Sequence, residues 1–506
     1  MNRKLTRIVS FLLAFLLLTG CSQEDLQEDE SVLPSDSIVQ EIPNRTILPD
    51  LFSLPYAPGL TLDPITCADG MQQVVSSLIC EGLFRLDPTF EPIPWLCKSY
   101  AYNADTFTYT FILREEIKFS DGTPLTGSDV KATLLRAKTS ERYGSRLSQV
   151  TSVTADEQTV TVTLSSANTS FPALLDIPIL KSGTEDSPIG TGPYLFSVEN
   201  SSAWLISNQS WWRDSSQPVD RIALIEASDQ DTMLYRFTSH DVQLVTADLT
   251  GTDPISATGS IVYQDANTTI LQYLGINVNR EPLNDAGFRR LLSQGIDRNH
   301  LVSAFLSSHG IPAQSPVSPA SSLYPAALDR PFSLSDFSAA LAKSGYTANR
   351  TLTLLVNAEN EFKISVAQQI ADTFSNVGVP MTVKVLPWEE YTAALIAGEF
   401  DLYYGEIKLS ADWNLSQLLG SAGVLNYGGW LDPQFDQYLS NYLASADPRA
   451  SMERLCSYLQ KQSPILPICF KSTSVLLQTD VLSGLTPTMS EPFYNFADCS
   501  IQLAGT

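Results

Sequence analysis

Histidine is scarce in this chain, and the motifs of the common catalytic sites are missing. The three histidines, His240, His300 and His309, have no partner at the spacing of a metal site or a catalytic triad. No nucleophile elbow, zinc-protease motif or phosphate-binding loop occurs. These absences exclude the usual nucleophilic, zinc and nucleotide chemistry, so we expect no enzyme, no cofactor and no metal site.

Basic residues are also few. The 506 residues include 31 Lys and Arg against 55 Asp and Glu, for a formal charge of −24. Such a surface repels phosphate backbones, so we expect no nucleic-acid partner, and the acidity is typical of plain solubility. With 43% hydrophobic residues, the chain has enough apolar material for roughly two to four folding units.

Long hydrophobic runs are limited to one, near the N-terminus. Residues 8–18 (IVSFLLAFLLL) follow three basic residues and are too short for an ordinary membrane span of about 20 residues. The run ends in Leu18-Thr19-Gly20-Cys21, which resembles the lipobox of bacterial lipoproteins. We therefore expect a signal peptide over 1–20, lipidation of Cys21, a flexible acidic tether over 21–50, and anchoring at the extracytoplasmic face of the cell membrane.

Cysteines other than Cys21 number six, at positions 67, 80, 97, 456, 469 and 499. An even number outside the cell permits one or two disulfides, and buried free thiols are the alternative. The sequence does not choose between them.

Hydrophobic periodicity predicts alternating helices and strands. A helical stripe runs over residues 71–79, and alternating apolar and threonine residues predict strands at 107–113 and 160–164. Thr126 and Asp129 form the pattern of a capping box. In the second half, residues 351–385 read as strand, helix and strand, which predicts a parallel βαβ unit, followed by a helix and a strand at 400–404. The pattern indicates an α/β protein of at least two lobes.

A series of short motifs carries a family resemblance. The motifs are, in chain order, LDP at 62–64, EGL at 81–83, FTYTFILR at 107–114, KFSDGTPLT at 118–126, PIGTGPY at 188–194, LGIN at 274–277, FRR at 288–290 and GIDR at 295–298. Together they resemble the family 5 extracellular solute-binding proteins, the peptide and nickel binders of ABC importers. LDP and EGL occupy the places of that family's opening strand and first helix.

The resemblance implies a two-lobed, type II periplasmic-binding-protein-like fold with an extra subdomain, mixed sheets with helices on both faces, and a hinge. Lobe I would comprise residues 51–90, 180–270 and 472–506, its subdomain 91–180, and lobe II 275–471. The implied function is capture of a small solute, an oligopeptide or dipeptide, for delivery to permease subunits by a monomeric lipoprotein. A lipid-anchored peptide sensor without transport is the alternative.

The segment Ala411-Asp412-Trp413-Asn414 is similar to the cleft segment of that family's peptide binders, which implies that Asp412 pairs with a ligand ammonium group. A helix N-cap is the alternative role for Asp412. Trp413, Tyr404 and Trp388 are further candidates for ligand stacking, with core or hinge packing as the alternative.

Overall fold

The described chain consists of mixed sheets with helices packed on them. A computed structural model describes residues 48–257 and 259–505. The predicted signal peptide, Cys21 and nearly all of the predicted tether lie outside these residues. Within the described residues, no helix is long and apolar enough to cross a membrane.

The first two large sheets have four strands each. In one, the strand order is Ser53–Tyr56, Arg221–Glu226, Ser202–Ser207 and Tyr194–Glu199, and only the first pair is parallel. The other sheet is antiparallel throughout, in the order Cys97–Asn103, Thr108–Leu113, Thr159–Leu164 and Val150–Ala155. One apolar core joins both sheets.

The third sheet has seven strands and is mixed. Its order is Leu244–Ala247, Ile465–Gln478, Ile261–Ile276, Leu402–Lys408, Leu352–Asn357 and Met381–Leu386, with Gly310–Pro312 pairing to Ile465–Gln478. Three two-stranded ribbons complete the strands: Glu81–Gly82 with Pro178–Ile179, Phe84–Leu86 with Pro92–Pro94, and Leu482–Ser483 with Ser500–Ile501.

Helices cover both faces of the seven-stranded sheet. The α-helices of the described residues are Gly70–Ile79, Gly127–Thr139, Gln230–Thr238, Ala286–Gln294, Arg298–Phe305, Leu334–Ser344, Glu361–Asn376, Trp388–Ala397, Ser416–Leu419, Pro433–Leu443 and Pro448–Gln462. Tyr403 and Tyr404 are neighbours on one strand and belong to different apolar cores. Because successive strand residues point to opposite faces, the sheet has a separate core on each side.

The predicted βαβ unit is present. Strands Leu352–Asn357 and Met381–Leu386 are parallel, and Glu361–Asn376 connects them. Asn360 begins this helix by accepting a hydrogen bond from the Lys363 amide through its side chain (3.0 Å). The capping box is also confirmed, since Asp129 accepts bonds from both the amide (3.1 Å) and the hydroxyl (2.7 Å) of Thr126.

Two local expectations are wrong, namely a strand at LDP and a first helix at EGL. LDP at 62–64 forms no strand, because Asp63 instead stabilises a turn by accepting from the Ile65 amide at 3.1 Å. EGL at 81–83 lies just beyond the first helix, with Glu81–Gly82 in a short strand. The opening strand of the described chain is Ser53–Tyr56.

Two long strands, Ile261–Ile276 and Ile465–Gln478, run side by side through the middle of the seven-stranded sheet, and we call them the hinge strands. Their register shifts between Asn267 and Leu271. On one side of this irregularity the strand Leu244–Ala247 joins the sheet, and on the other side Leu402–Lys408 joins it. The hinge strands are therefore the main-chain connection between the two parts of the fold, and the exact lobe boundaries stay a prediction.

Candidate functional site

A cleft with a volume of about 530 Å³ lies between two walls that are formed by different parts of the chain. The first wall comes from the helix Gly70–Ile79 and from residues 142–146, 176–178 and 488–492. The second comes from residues 407–425. This volume is within the range of about 300–1,000 Å³ that is usual for small-molecule pockets.

The helix Gly70–Ile79 gives the first wall a polar surface. Asp69 caps the helix by accepting from the Gln72 amide at 2.9 Å, while Val75 and Leu78 are buried in the core. Gln73 and Ser77 of the same helix line the cleft. The apolar stripe thus fixes the helix, and its other side offers hydrogen-bonding groups to a ligand.

The second wall begins where the strand Leu402–Lys408 ends. Ile407, Lys408, Leu409 and Ser410 all line the cleft. Their path is fixed by Thr269, whose carbonyl oxygen accepts from the Leu409 amide (3.0 Å) and whose hydroxyl donates to the Leu409 carbonyl (2.6 Å). The end of this strand is therefore held in place on a hinge strand.

The charged side chains of the cleft are mostly cationic. Arg142 and Arg146 lie on the first wall and Lys408 on the second, and Asp176 is the one carboxylate among the described lining residues. Arg146 forms an ion pair with Asp176 and donates to the Leu174 carbonyl at 2.8 Å. One of the three cations is thus neutralised by the protein.

Arg142 and Lys408 form no ion pair with any residue that the structure describes. Arg142 donates to the carbonyl oxygen of Cys67 at 3.2 Å and makes no ion pair among the described residues. Lys408 makes neither an ion pair nor a side-chain hydrogen bond in this part of the chain, and its side chain is exposed within the cleft. Both keep donors free for a ligand.

The pKa values reflect this imbalance. The pKa of Lys408 is lowered, first by desolvation and then by the positive charges of Arg146 and Arg142. For Arg146, burial favours the neutral form, but Asp176 outweighs it and the pKa is raised. The charged form of Arg146, which has a carboxylate partner, is therefore favoured, and the charged form of Lys408 is disfavoured.

Asp412 lies directly behind the second wall. It is 2% exposed, while its neighbours Ser410 and Asn414 line the cleft. Its carboxylate accepts hydrogen bonds from Asn168 Nδ2 (2.8 Å) and Ser410 Oγ (2.5 Å). The nearby helix Ser416–Leu419 has Leu415 at its N-cap, so Asp412 does not cap it. A ligand contact by Asp412 stays a prediction.

The three aromatic candidates lie away from the cleft lining. Tyr404 is 1% exposed in the core and donates to Gln272 Oε1 at 2.8 Å. Trp413 is also 1% exposed and packs edge-on against Phe90, with ring centroids 5.4 Å apart. Trp388 is 57% exposed on the outer surface. The structure does not bring these three side chains together at the cleft.

The cationic residues were not singled out by the sequence analysis. Lys408 stands on the same strand face as Tyr404, four residues further on, where the strand leaves the core. Arg142 and Arg146 come from a loop far away in sequence, after the helix Gly127–Thr139. No motif in the sequence joins these two arginines to Lys408, so no local signal identifies the three as parts of one cleft.

A polar network of buried and partly exposed side chains lies at the hinge strands near the cleft. Lys471 is 1% exposed at its side chain, and its Nζ lies 2.5 Å from Asp248 Oδ2 and 3.6 Å from Glu406 Oε2. Lys363 Nζ is 3.4 Å from Glu406 Oε2, and Gln272 Nε2 donates to the same Glu406 oxygen at 2.9 Å. Burial alone would raise the pKa of Glu406, but the two lysines lower it. The network ties Asp248, beyond one end of the strand Leu244–Ala247, to the middle of the sheet.

All six cysteines in the described residues are free and buried, which settles the question left open by the sequence in favour of thiols.

No group of three or more His, Cys, Asp or Glu in the described part of the chain is arranged to hold a metal ion.

Comparison with known proteins identifies the family. Residues 91–425 match the model of bacterial extracellular solute-binding proteins, family 5 middle. The glutathione-binding protein GsiB of Escherichia coli is 26% identical over 477 residues, which cover 87% of this chain and 92% of that protein.

Solved structures show the same fold. The ABC transporter substrate-binding protein CtaP from Listeria monocytogenes superposes with a TM-score of 0.72 at 18% identity, over 89% of this chain and 99% of that one. A nickel ABC transporter protein from Bacillus halodurans gives 0.73 at 20% identity, over 87% and 97%. These likenesses concern the fold, whereas the family match over residues 91–425 establishes that the chain belongs to the bacterial extracellular solute-binding proteins, family 5.

Proposed function

We propose that this protein is a lipid-anchored receptor that captures a short peptide in the cleft and delivers it to an ABC permease. The observation that carries the proposal is the cleft itself, which has a volume of about 530 Å³ and is lined by polar and charged groups on two walls. Two of its relatives are described as binding small molecules, glutathione in one case and nickel with histidine in another. Glutathione is itself a short peptide.

The cleft offers the groups that peptide capture needs. Gln73 and Ser77 can bond a peptide main chain, and Val74, Leu418 and Met489 supply apolar contact for side chains. Main-chain recognition tolerates many side chains, which suits a transport receptor. The hinge strands allow the two walls to approach each other around the bound molecule.

The test is to identify what the native protein carries. The mature protein is purified from its own host under mild conditions, and the bound small molecules are released and analysed by mass spectrometry. A peptide of a few residues that rebinds in calorimetry with a stoichiometry of one supports the proposal. A bound sugar or metal complex that rebinds instead would overturn the peptide part of it.

A further inference from the structure

Two bulky residues that touch each other adopt a backbone conformation that large side chains rarely take. Phe90 has a φ of 68° and Trp413 a φ of 52°, which places both in the left-handed region. For side chains of this size such values are outliers, because the Cβ crowds the neighbouring main chain. The rings meet edge-on with centroids 5.4 Å apart, although the two residues come from distant parts of the chain. Strained conformations persist only where the surrounding structure holds them, so this contact needs a reason.

Phe90 stands at a turn position where glycine is the usual residue. It is the last residue of a loop over residues 88–90. The Asp87 amide closes this loop by donating to the Glu91 carbonyl oxygen at 3.1 Å. Such loops commonly end in a left-handed residue, which glycine supplies without strain. The side chain of Phe90 packs in a core of the seven-stranded sheet, whereas Phe84 of the same ribbon packs in the core of the four-stranded sheets. The phenylalanine therefore reaches from one part of the fold into the other.

The segment that contains Trp413 depends on a second contact of this kind, through the buried carboxylate of Asp412. Its Oδ1 oxygen accepts from Ser410 Oγ (2.5 Å) and from the Asn414 amide (3.3 Å), two residues of the same segment that also line the cleft. Its Oδ2 oxygen has one donor among the described residues, Asn168 Nδ2 at 2.8 Å. A buried carboxylate oxygen without a donor is costly, so the segment needs Asn168 to keep this conformation.

Thr169 extends the contact to a neighbouring helix. Its amide donates to the Leu443 carbonyl oxygen (2.8 Å) and its hydroxyl to the Ser445 carbonyl oxygen (2.9 Å). These two oxygens lie at and just beyond the C-terminal end of the helix Pro433–Leu443, where carbonyl groups lack partners within the helix. Thr169 itself belongs to the chain that leads to the first-wall residues 176–178. The part of the fold that carries the first wall thus supplies missing partners to the part that carries the second.

We propose that the first part of the fold shapes the second wall of the cleft through Phe90, Asn168 and Thr169, which we call the clasp residues. They act as positioning residues that hold the segment 410–414 in the strained conformation in which two of its side chains line the cleft. When the clasp contacts are lost, the segment relaxes to ordinary backbone angles and these side chains leave their places. The cleft is therefore complete only while the clasp is formed, whichever molecule binds.

The test compares three variants of the mature protein without ligand, by hydrogen exchange and mass spectrometry. Phe90→Gly removes the ring and supplies the residue that the turn favours. Thr169→Val removes one hydroxyl bond and keeps the shape of the side chain. The control is Phe107→Gly. Phe107 also has a positive φ, of 51°, just before the strand Thr108–Leu113, and it packs against the core of the four-stranded sheets.

The clasp predicts an effect at the second wall and none at the turn. Phe90→Gly should raise the exchange rate of peptides over residues 409–415 by about 10-fold or more, while the ribbon around position 90 keeps its protection. Thr169→Val should raise the exchange rate of the same peptides by a smaller factor, about 2- to 10-fold. Phe107→Gly should leave these peptides as in wild type. A purely structural role of Phe90 gives the opposite result, loss of protection in its own ribbon with an unchanged second wall, and that result would overturn the inference.

Two other results would also count against the clasp. Unchanged exchange over residues 409–415 in both Phe90→Gly and Thr169→Val would mean that the second wall keeps its shape by itself. Equal acceleration of these peptides in Phe107→Gly would mean that the effect is general loosening. If Phe90→Gly does not fold, Thr169→Val decides alone, because it changes a single side-chain bond. Since no ligand is used, each of these failures leaves the proposed function standing.

Discussion

The substitution Asp412→Asn tests a contact that joins two distant parts of the chain. Asn168 follows the strand Thr159–Leu164 of the antiparallel four-stranded sheet, and Asp412 follows the strand Leu402–Lys408 of the seven-stranded sheet. Asn168 Nδ2 donates to the Asp412 carboxylate at 2.8 Å. The new amide would direct its N–H groups towards the Nδ2 donor of Asn168. Asn168 cannot simply turn over, because its oxygen accepts from the Ser170 amide (3.1 Å) and its nitrogen also donates to Gln149 (3.2 Å).

The magnitude follows from this geometry. If the amide at position 412 keeps its oxygen towards Ser410 and Asn414, one buried donor of Asn168 loses its acceptor, which costs about 1–3 kcal/mol. The alternative orientation would instead leave the Ser410 hydroxyl and the Asn414 amide facing N–H groups. We therefore expect Asp412→Asn to lower the free energy of unfolding by about 1–3 kcal/mol even without ligand.

Urea denaturation at neutral pH measures this loss, and a double variant supplies the control. In Asn168→Asp combined with Asp412→Asn the donor and acceptor are exchanged, and only the bond to Gln149 is lost, so most of the stability should return. Calorimetry with an identified ligand runs beside it. If Asp412 instead binds an ammonium group of the ligand, Asp412→Asn should leave the stability unchanged and weaken ligand binding by about 30- to 1000-fold. Wild-type stability of the single variant would refute the structural argument.

Four shorter predictions concern the hinge, the scaffold, the anchor and closure. Lys471→Met should lower the free energy of unfolding, measured in urea, by about 1–3 kcal/mol. The loss is smaller than for a fully buried ion pair, because Glu406 keeps Lys363 as a partner; an unchanged midpoint would contradict this. Gly190→Ala should destabilise by about 1–3 kcal/mol, since its Cβ would collide with a main-chain oxygen at the end of the first helix, whereas Gly70→Ala has open space and should be neutral in the same melts. Cys21→Ser should release the protein from membranes, and its retention in the membrane fraction would argue against lipidation. Small-angle scattering should show compaction at ligand saturation, and an unchanged profile would exclude closure about the hinge strands.

Local patterns predicted local structure well. The helix Gly70–Ile79, the capping box of Thr126 and Asp129, and the βαβ unit all depend on residues close together in sequence. Periodicity and capping chemistry report directly on such elements. The one wrong strand, at Leu62–Pro64, contains an Asp that bonds to its own turn and a Pro that lacks the amide donor of a ladder.

The candidate site was harder to predict, because it depends on which strand face meets which loop. The segment from Phe400 to Asn414 does reach the cleft, but Tyr404 and Trp413 are buried in the core. Strand alternation says that Tyr404 and Lys408 share a face and cannot say where along it the core ends. That Lys408 and Arg142 line one cleft depends on long-range folding, of which one sequence contains no local sign.

The buried thiols allow local opening of the protein to be measured by chemical labelling. Burial raises the pKa of Cys456 and of Cys469 to about 12, and that of Cys97 to about 11, so these groups stay protonated and unreactive at neutral pH. An alkylating reagent can then modify each thiol only when the surrounding structure opens. Cys97 would record opening of the antiparallel four-stranded sheet, and Cys469 would record opening of a hinge strand. Mass spectrometry of the labelled chain would thus rank the local stabilities of the sheets without an introduced probe.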